Sequence, residues 1–173
     1  MTDYLWLDCE MTGLDVKNCR IIEVAAIITR DDLVPRAKYE AIIYQNPHVG
    51  WQQVAREMHE KSGLFNLVQK EGLDERFVVD EFSSWLKNNV GMNLVNLAGN
   101  SVHFDRGFVV EQWPEIKPFL SHRHLDVSSF KIYAEGQGVK KFSLNAPAHR
   151  AMDDIEHSIK EFQYYLSELK KLP

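Results

Sequence analysis

The stretch "LWLDCEMTGL", Leu5–Leu14, decides how this chain is read. Leu5, Trp6 and Leu7 are what a buried strand requires, yet Asp8 and Glu10 follow directly. On a strand, residues two apart share a face. Asp8 and Glu10 therefore project together, while Leu7 and Cys9 point the other way. Two like charges this close repel, and burial raises the cost. Such a pair must hold a proton or acquire a cation, and carboxylate oxygens are natural ligands for Mg²⁺ or Mn²⁺. Alone, Asp-x-Glu is a weak signal, because a strand end can be solvated and its acids incidental.

Outward from this strand, "RIIEVAAIITR" reads as a second strand rich in β-branched residues, and "KYEAIIYQN" as a third. The short polar connection at Asp31 and Asp32 suggests an antiparallel meander. Two short helices follow, on either side of Ser62-Gly63. "DERFVVDEFSSWLKNNVG" is a stronger helix, with Val78, Phe82, Trp85 and Leu86 at helical spacing and Gly91 as its stop. "NLVNLAG" is a fourth strand, "SVHFDRGFVVEQW" a helix capped by Asn100 or Ser101, and "HRHLDVSSF" a short strand running into a helix. The last helix, "MDDIEHSIKEFQYYLSELKK", is long and amphipathic, with Lys170 and Lys171 suited to its C-terminal dipole. The fold class expected is α/β: a mixed five-stranded sheet, a three-stranded antiparallel meander plus parallel strands, flanked by helices.

Further acids give the first pair a context. Asp105 falls in the first turns of a helix that follows a strand, near the carboxyl end of the sheet, where open α/β folds collect ligands. In the last helix, Ile155, Ile159, Phe162 and Leu166 form the core stripe. Asp154 lies about 100° from Ile155, at the edge of the buried face, while Asp153 points about 160° away, toward water. His149 precedes that helix. Each of these residues has an ordinary surface reading by itself; together they do not. Four carboxylates can hold two Mg²⁺ or Mn²⁺ ions, whose usual work is in-line displacement at phosphorus. A histidine of near-neutral pKa can take the proton from the attacking water. The residues alone thus suggest metal-dependent phosphodiester hydrolysis, with His149 as general base.

Composition narrows the setting. The chain has 173 residues, enough for one domain over 1–173. No apolar run reaches the length of a membrane span, and the N-terminus has no secretory pattern. Cys9 and Cys19 are too few for a disulfide framework, so a cytoplasmic setting is expected. The net charge of −5 argues against a protein that coats long nucleic acid through a broad basic face.

The set Asp8, Glu10, Asp105, His149 and Asp154 resembles the DEDDh subgroup of 3′-to-5′ exonucleases, and within it the oligoribonucleases. The segments "WLDCEMTGLD", "IIEVAAIIT", "HEKSGL", "AGNSVHFDR", "LDVSSFK" and "HRAMDDIEHSI" carry the resemblance over nearly the whole chain. It implies a ribonuclease H-like fold and a homodimeric exonuclease that uses Mg²⁺ or Mn²⁺ on very short RNA, down to dinucleotides. Asp8, Glu10, Asp105 and Asp154 would hold the two ions and His149 would be the base. Leu14 would wedge against bases, and His59 would lie on the substrate side. Ser101, Arg123, Ser128 and Ser129 would cap the 5′-phosphate of a dinucleotide, and His122 would reach the partner subunit's substrate.

This chain also departs from the family. Val54 stands where a tryptophan is usual, and the nearest tryptophan is Trp51. His122-Arg123-His124 replaces Tyr-Arg-Tyr, and "HFDR" resembles proofreading exonucleases. Two other functions therefore stay open: a single-stranded DNA exonuclease of proofreading type, and a module that binds short nucleotides without cutting them.

Overall fold

The computed structural model describes residues 3–143 and 150–171. Its centre is the strand that carries the paired acids. β1 (Tyr4–Met11) runs antiparallel to β2 (Ile21–Thr29), and β2 runs antiparallel to β3 (Ala37–Ile42). On its other edge β1 pairs in parallel with β4 (Val95–Gly99), and β4 with β5 (Leu120–Asp126). The order β3-β2-β1-β4-β5 is the mixed five-stranded sheet expected from the sequence.

Helices cover both faces. α1 (Gln53–Ser62), α2 (Leu64–Glu71) and α3 (Glu75–Val90) lie between β3 and β4; α4 (His103–Gln112) joins β4 to β5; α5 (Val127–Gly136) and α6 (Ala151–Leu169) follow. Strand alternation sorts the core. Leu5, Leu7 and Cys9 meet Val78, Phe82 and Leu86 of α3 and Phe108 of α4. Trp6 enters the opposite layer with Ile155, Ile159 and Phe162 of α6. All nine residues of β2 are buried, as a strand covered on both faces requires. The indole N–H of Trp6 donates to Thr29 Oγ1 at 2.9 Å, so the largest side chain of that layer leaves no polar atom unsatisfied. By the same alternation, Asp8 and Glu10 share Trp6's face and look toward α6.

Local signals set the boundaries. Asp74 caps α3 by accepting from the Phe77 amide at 3.2 Å, and Gly91, at φ 64°, ends it as expected. β3 is shorter than its apolar run: it stops at Ile42, and Ile43, its amide still bonded to the Ile22 carbonyl at 2.8 Å, also bridges in parallel to Leu73. The expected caps of α4 are also corrected. Its N-cap is Val102, with no side-chain bond, and Asn100 instead sends its amide toward α6. Lys170 ends α6 as its C-cap, and Lys171 pairs with Glu168. No helix among the described residues is long and apolar enough to cross a membrane.

Gly72, beside the Ile43–Leu73 bridge, tests this packing. A Cβ there would lie 2.4 Å from the Val68 carbonyl oxygen and 2.6 Å from the Tyr44 Cα. Both neighbours are backbone and cannot rotate away. Gly72→Ala is expected to cost about 1–3 kcal/mol and to lower Tm by roughly 2–10 °C in thermal denaturation.

Candidate active site

Three of the predicted ligands converge. Asp8 and Glu10 stand on one face of β1, and Asp154 stands in the first turn of α6, which packs on that face. One oxygen from each lies within 4.8 Å of the other two. Burial of Ile155, Ile159 and Phe162 fixes the rotation of α6, and it turns Asp154 toward the sheet while Asp153 stays exposed.

Asp105 comes from the first turn of α4 and is 6% exposed. It lies outside that trio. Its Oδ1 accepts from the Cys9 amide at 2.9 Å, which ties the start of α4 to β1. Its charge still reaches Asp8. Burial raises the Asp8 pKa well above the carboxylate range, and Asp105, Asp154, Glu10 and Glu23 add to the rise in that order. Glu10 is pushed up to about 8, by burial first and then by Asp154, Glu23 and Asp105, against a lowering by Arg150. Burial also raises Asp105, against the lowering bond from Cys9.

Two residues beside these acids were not singled out from the sequence. Glu23 faces Glu10 across the β1–β2 ladder and is buried. Arg150 grips its Oε1 through Nε at 2.9 Å and Nη2 at 2.7 Å, and Oε2 accepts from the Ala151 amide at 3.2 Å. The carboxylate thus spends both oxygens anchoring the start of α6, where it also meets the positive end of the helix dipole. The signal available in the sequence was an acid inside an otherwise apolar strand, "IIEVAAIIT".

An apolar groove of about 540 Å³ opens beside Glu10, lined by residues that include Met11, Leu14, Gln52, Val54 and Met58. Leu14 is 67% exposed, and its amide donates to Gln52 Oε1 at 3.1 Å. Val54, 81% exposed, lines the groove, whereas Trp51 does not. Trp51 packs edge-on against Phe65 and His59, and its indole N–H donates to the Asn46 carbonyl. The wall of the groove at this point is therefore aliphatic, not aromatic. His59 lies beside the acids but is buried: it is 0% exposed, and its Nε2 lies 2.9 Å from the Met11 carbonyl and 3.9 Å from Glu10 Oε2.

On the β4–β5 side, Ser101 Oγ and Ser128 Oγ come within 3.1 Å. Ser129 joins them only through the backbone: Asp126 Oδ1 accepts from the amides of Ser101, Ser128 and Ser129. His122, Arg123 and His124 are consecutive and exposed on the edge strand β5. His149 lies outside the described residues.

The donor set fits a hard divalent cation: carboxylate oxygens alone, crowded and partly desolvated, in mutual repulsion that such an ion relieves. This gives a pH test. Unfolded carboxylates ionise near pH 4, whereas the folded, metal-free protein holds protons on Asp8 and Glu10 to higher pH. From about pH 4 to about 8 these groups bind more protons folded than unfolded, so their contribution falls as pH rises. In EDTA, Tm is expected to drop between pH 5 and pH 8, and Asp8→Asn is expected to flatten that slope. Saturating Mn²⁺ should raise Tm more at pH 8 than at pH 5; an equal gain at both would count against the carboxylate site.

A model of the RNase_T exonuclease family matches residues 5–162. A mitochondrial oligoribonuclease from Bos taurus is 35% identical over 173 residues, covering 96% of this chain and 73% of that protein. An oligoribonuclease from Francisella tularensis subsp. holarctica is 35% identical over 168 residues, covering 95% of this chain and 94% of its own length. Among solved structures, a zinc-bound complex of E. coli exonuclease I with single-stranded DNA superposes with a TM-score of 0.71 at 14% identity. It covers 99% of this chain but 42% of that one, so it speaks for the ribonuclease H-like fold alone. With the acids in place on that fold and this identity along nearly its whole length, the chain belongs to the oligoribonuclease family of 3′-to-5′ exoribonucleases.

Proposed function

We propose that residues 1–173 form one exonuclease domain, a Mg²⁺- or Mn²⁺-dependent enzyme that hydrolyses short single-stranded RNA, down to dinucleotides, to 5′-mononucleotides. The observation that carries the reading is the convergence of Asp8, Glu10 and Asp154, with Glu10 itself lining an apolar groove. Those three carboxylates and Asp105 would hold two ions. When bound, the ions supply a hydroxide at neutral pH and stabilise charge at the scissile phosphate. His149 accepts the proton of the attacking water. Leu14 and Val54 offer an apolar wall to base faces, and Glu23 with Arg150 keeps Asp154 aimed at the sheet. Ser101, Ser128, Ser129 and Arg123 receive the 5′-terminal phosphate. An arginine fork and a hydroxyl suit a terminal phosphate, and closing that end makes the site measure length.

The same reading includes a homodimer, in which His122 on the exposed edge of β5 serves the partner's substrate. It also includes a cytoplasmic setting, in keeping with the two free thiols, Cys9 and Cys19. A single-stranded DNA exonuclease is the second reading. It is favoured by the loss of the tryptophan from the groove, since an aliphatic wall stacks weakly and discriminates little.

End-labelled RNA and DNA of two to about twenty nucleotides separate the two. Dinucleotide RNA is expected to be cleaved fastest, and equal rates on long DNA would establish the second reading instead. Binding of a dinucleotide with Mn²⁺ but without release of mononucleotide would leave only a binding module. Arg123→Ala is expected to slow dinucleotide cleavage by about 10- to 100-fold, the cost of one charged hydrogen bond, with a far smaller effect on longer oligomers. Sedimentation equilibrium at micromolar protein tests the dimer.

A further inference from the structure

The serine pair at the proposed 5′-phosphate end is held by a buried polar network that none of the catalytic steps uses. Glu161, on α6, is 4% exposed, and Lys131 of α5 pairs with its Oε1 at 3.0 Å. Its Oε2 lies 3.0 Å from Asn100 Nδ2, and the same nitrogen lies 3.0 Å from Ser158 Oγ. Ser158 has already given its own proton to the Asp154 carbonyl, at 2.8 Å. A lysine-paired carboxylate offers only acceptors, so the Asn100 atom that faces it must be the NH₂. That fixes the amide and turns Asn100 Oδ1 toward α5, where Ser128 Oγ donates to it at 3.0 Å. A hydroxyl has one proton. With Ser128's committed, the 3.1 Å contact between the two serines must run from Ser101 to Ser128.

The backbone at this end is committed as well. The amides of Ser101, Ser128 and Ser129 all donate to Asp126 Oδ1, at 2.9–3.3 Å. The free N–H groups that would otherwise meet an anion at the start of α5 are already in use.

We infer that Asn100, locked by Glu161 and Lys131, is a positioning residue that sets the proton order of the serine pair, so that Ser101 Oγ–H is the hydroxyl donor to a terminal phosphate and Ser128 serves as its orienting acceptor. This rests on the 5′-phosphate end proposed above and goes beyond it. It divides two serines that look equivalent in sequence into a donor and a support. Ser101 need only rotate its proton from Ser128 to the phosphate; Ser128 would first have to strand the Asn100 carbonyl.

The test compares a 5′-phosphorylated diadenylate with the same dinucleotide bearing a 5′-hydroxyl. Equilibrium binding is measured in EDTA, and kcat and KM with Mn²⁺. The wild type is expected to prefer the phosphorylated ligand. Ser101→Ala should reduce that preference about tenfold or more, as loss of a hydrogen bond to a charged group does, and Ser128→Ala should reduce it no more than about threefold. Glu161→Gln, nearly isosteric, lets the Asn100 amide turn over. It should lower the preference in binding and in KM while leaving kcat on the 5′-hydroxyl dinucleotide unchanged, an effect that a general loss of stability would not single out. If that variant fails to fold, the order of the two serine variants carries the test alone. A larger loss from Ser128→Ala than from Ser101→Ala, or an unchanged preference in folded Glu161→Gln, overturns the inference while the 5′-phosphate end stands. A wild type that binds both ligands equally overturns that end and this inference with it.

Discussion

Carboxylates on the central strand of a covered sheet cannot all lose their protons unless positive charge stands among them. Everything around Asp8 and Glu10 makes that conflict hard to escape. β1 is hydrogen-bonded on both edges, to β2 and β4, so the strand cannot shift to separate its acids or carry them to water. Trp6 on the same face is wedged under α6, and Leu5, Leu7 and Cys9 are fixed in the opposite layer. The core thus holds the acids against their repulsion, and a bound cation turns a destabilising cluster into a preorganised one.

Aiming the acids supplied by the helices takes dedicated contacts. Asp154 depends on where α6 begins, and that point is tied to β2 by Glu23 through Arg150 and the Ala151 amide. Asp105 depends on α4, whose start is tied to β1 through the Cys9 amide. Glu23 would otherwise add a fifth negative charge to the same neighbourhood. Arg150 offsets it, and lowers Glu10 in doing so, which leaves the other acids as the set available to metal. Charge balance and helix placement are here one interaction.

The sequence made visible whatever follows from period and order. Spacing of two placed Asp8 and Glu10 on one face, and about 100° per residue placed Asp154 toward the sheet with Asp153 in water. Five strands and the meander followed from apolar runs and short turns. Contacts between elements distant in the chain were not legible. Glu23 and Arg150 are 127 residues apart, and each looks ordinary alone. Asn100 reads as a helix cap by composition, but the buried Glu161, 61 residues on, claims its amide. His59, which the family resemblance puts on the substrate side, is completely buried and meets the edge of Trp51. Propensity describes what a residue offers its neighbours in sequence; these three were decided by neighbours in space.

On the proposed function, a preference for short substrate would follow from how charge is distributed over the site. The chain carries a net −5, and Asp8, Glu10 and Asp154 gather at one point, where the proposed reaction would place the scissile phosphate. A polyanion lying across such a surface gains attraction only at phosphates met by metal or by an arginine, and repulsion at the rest. A dinucleotide has almost no phosphates of the second kind. Each added nucleotide brings one more, together with a base that must find a wall, and the groove beside Leu14 and Val54 offers a short aliphatic wall in place of stacked aromatics. Weak stacking and an acidic surface would therefore act in the same direction, and on the proposed function both would favour the shortest substrate that reaches the carboxylates and the serine pair at once.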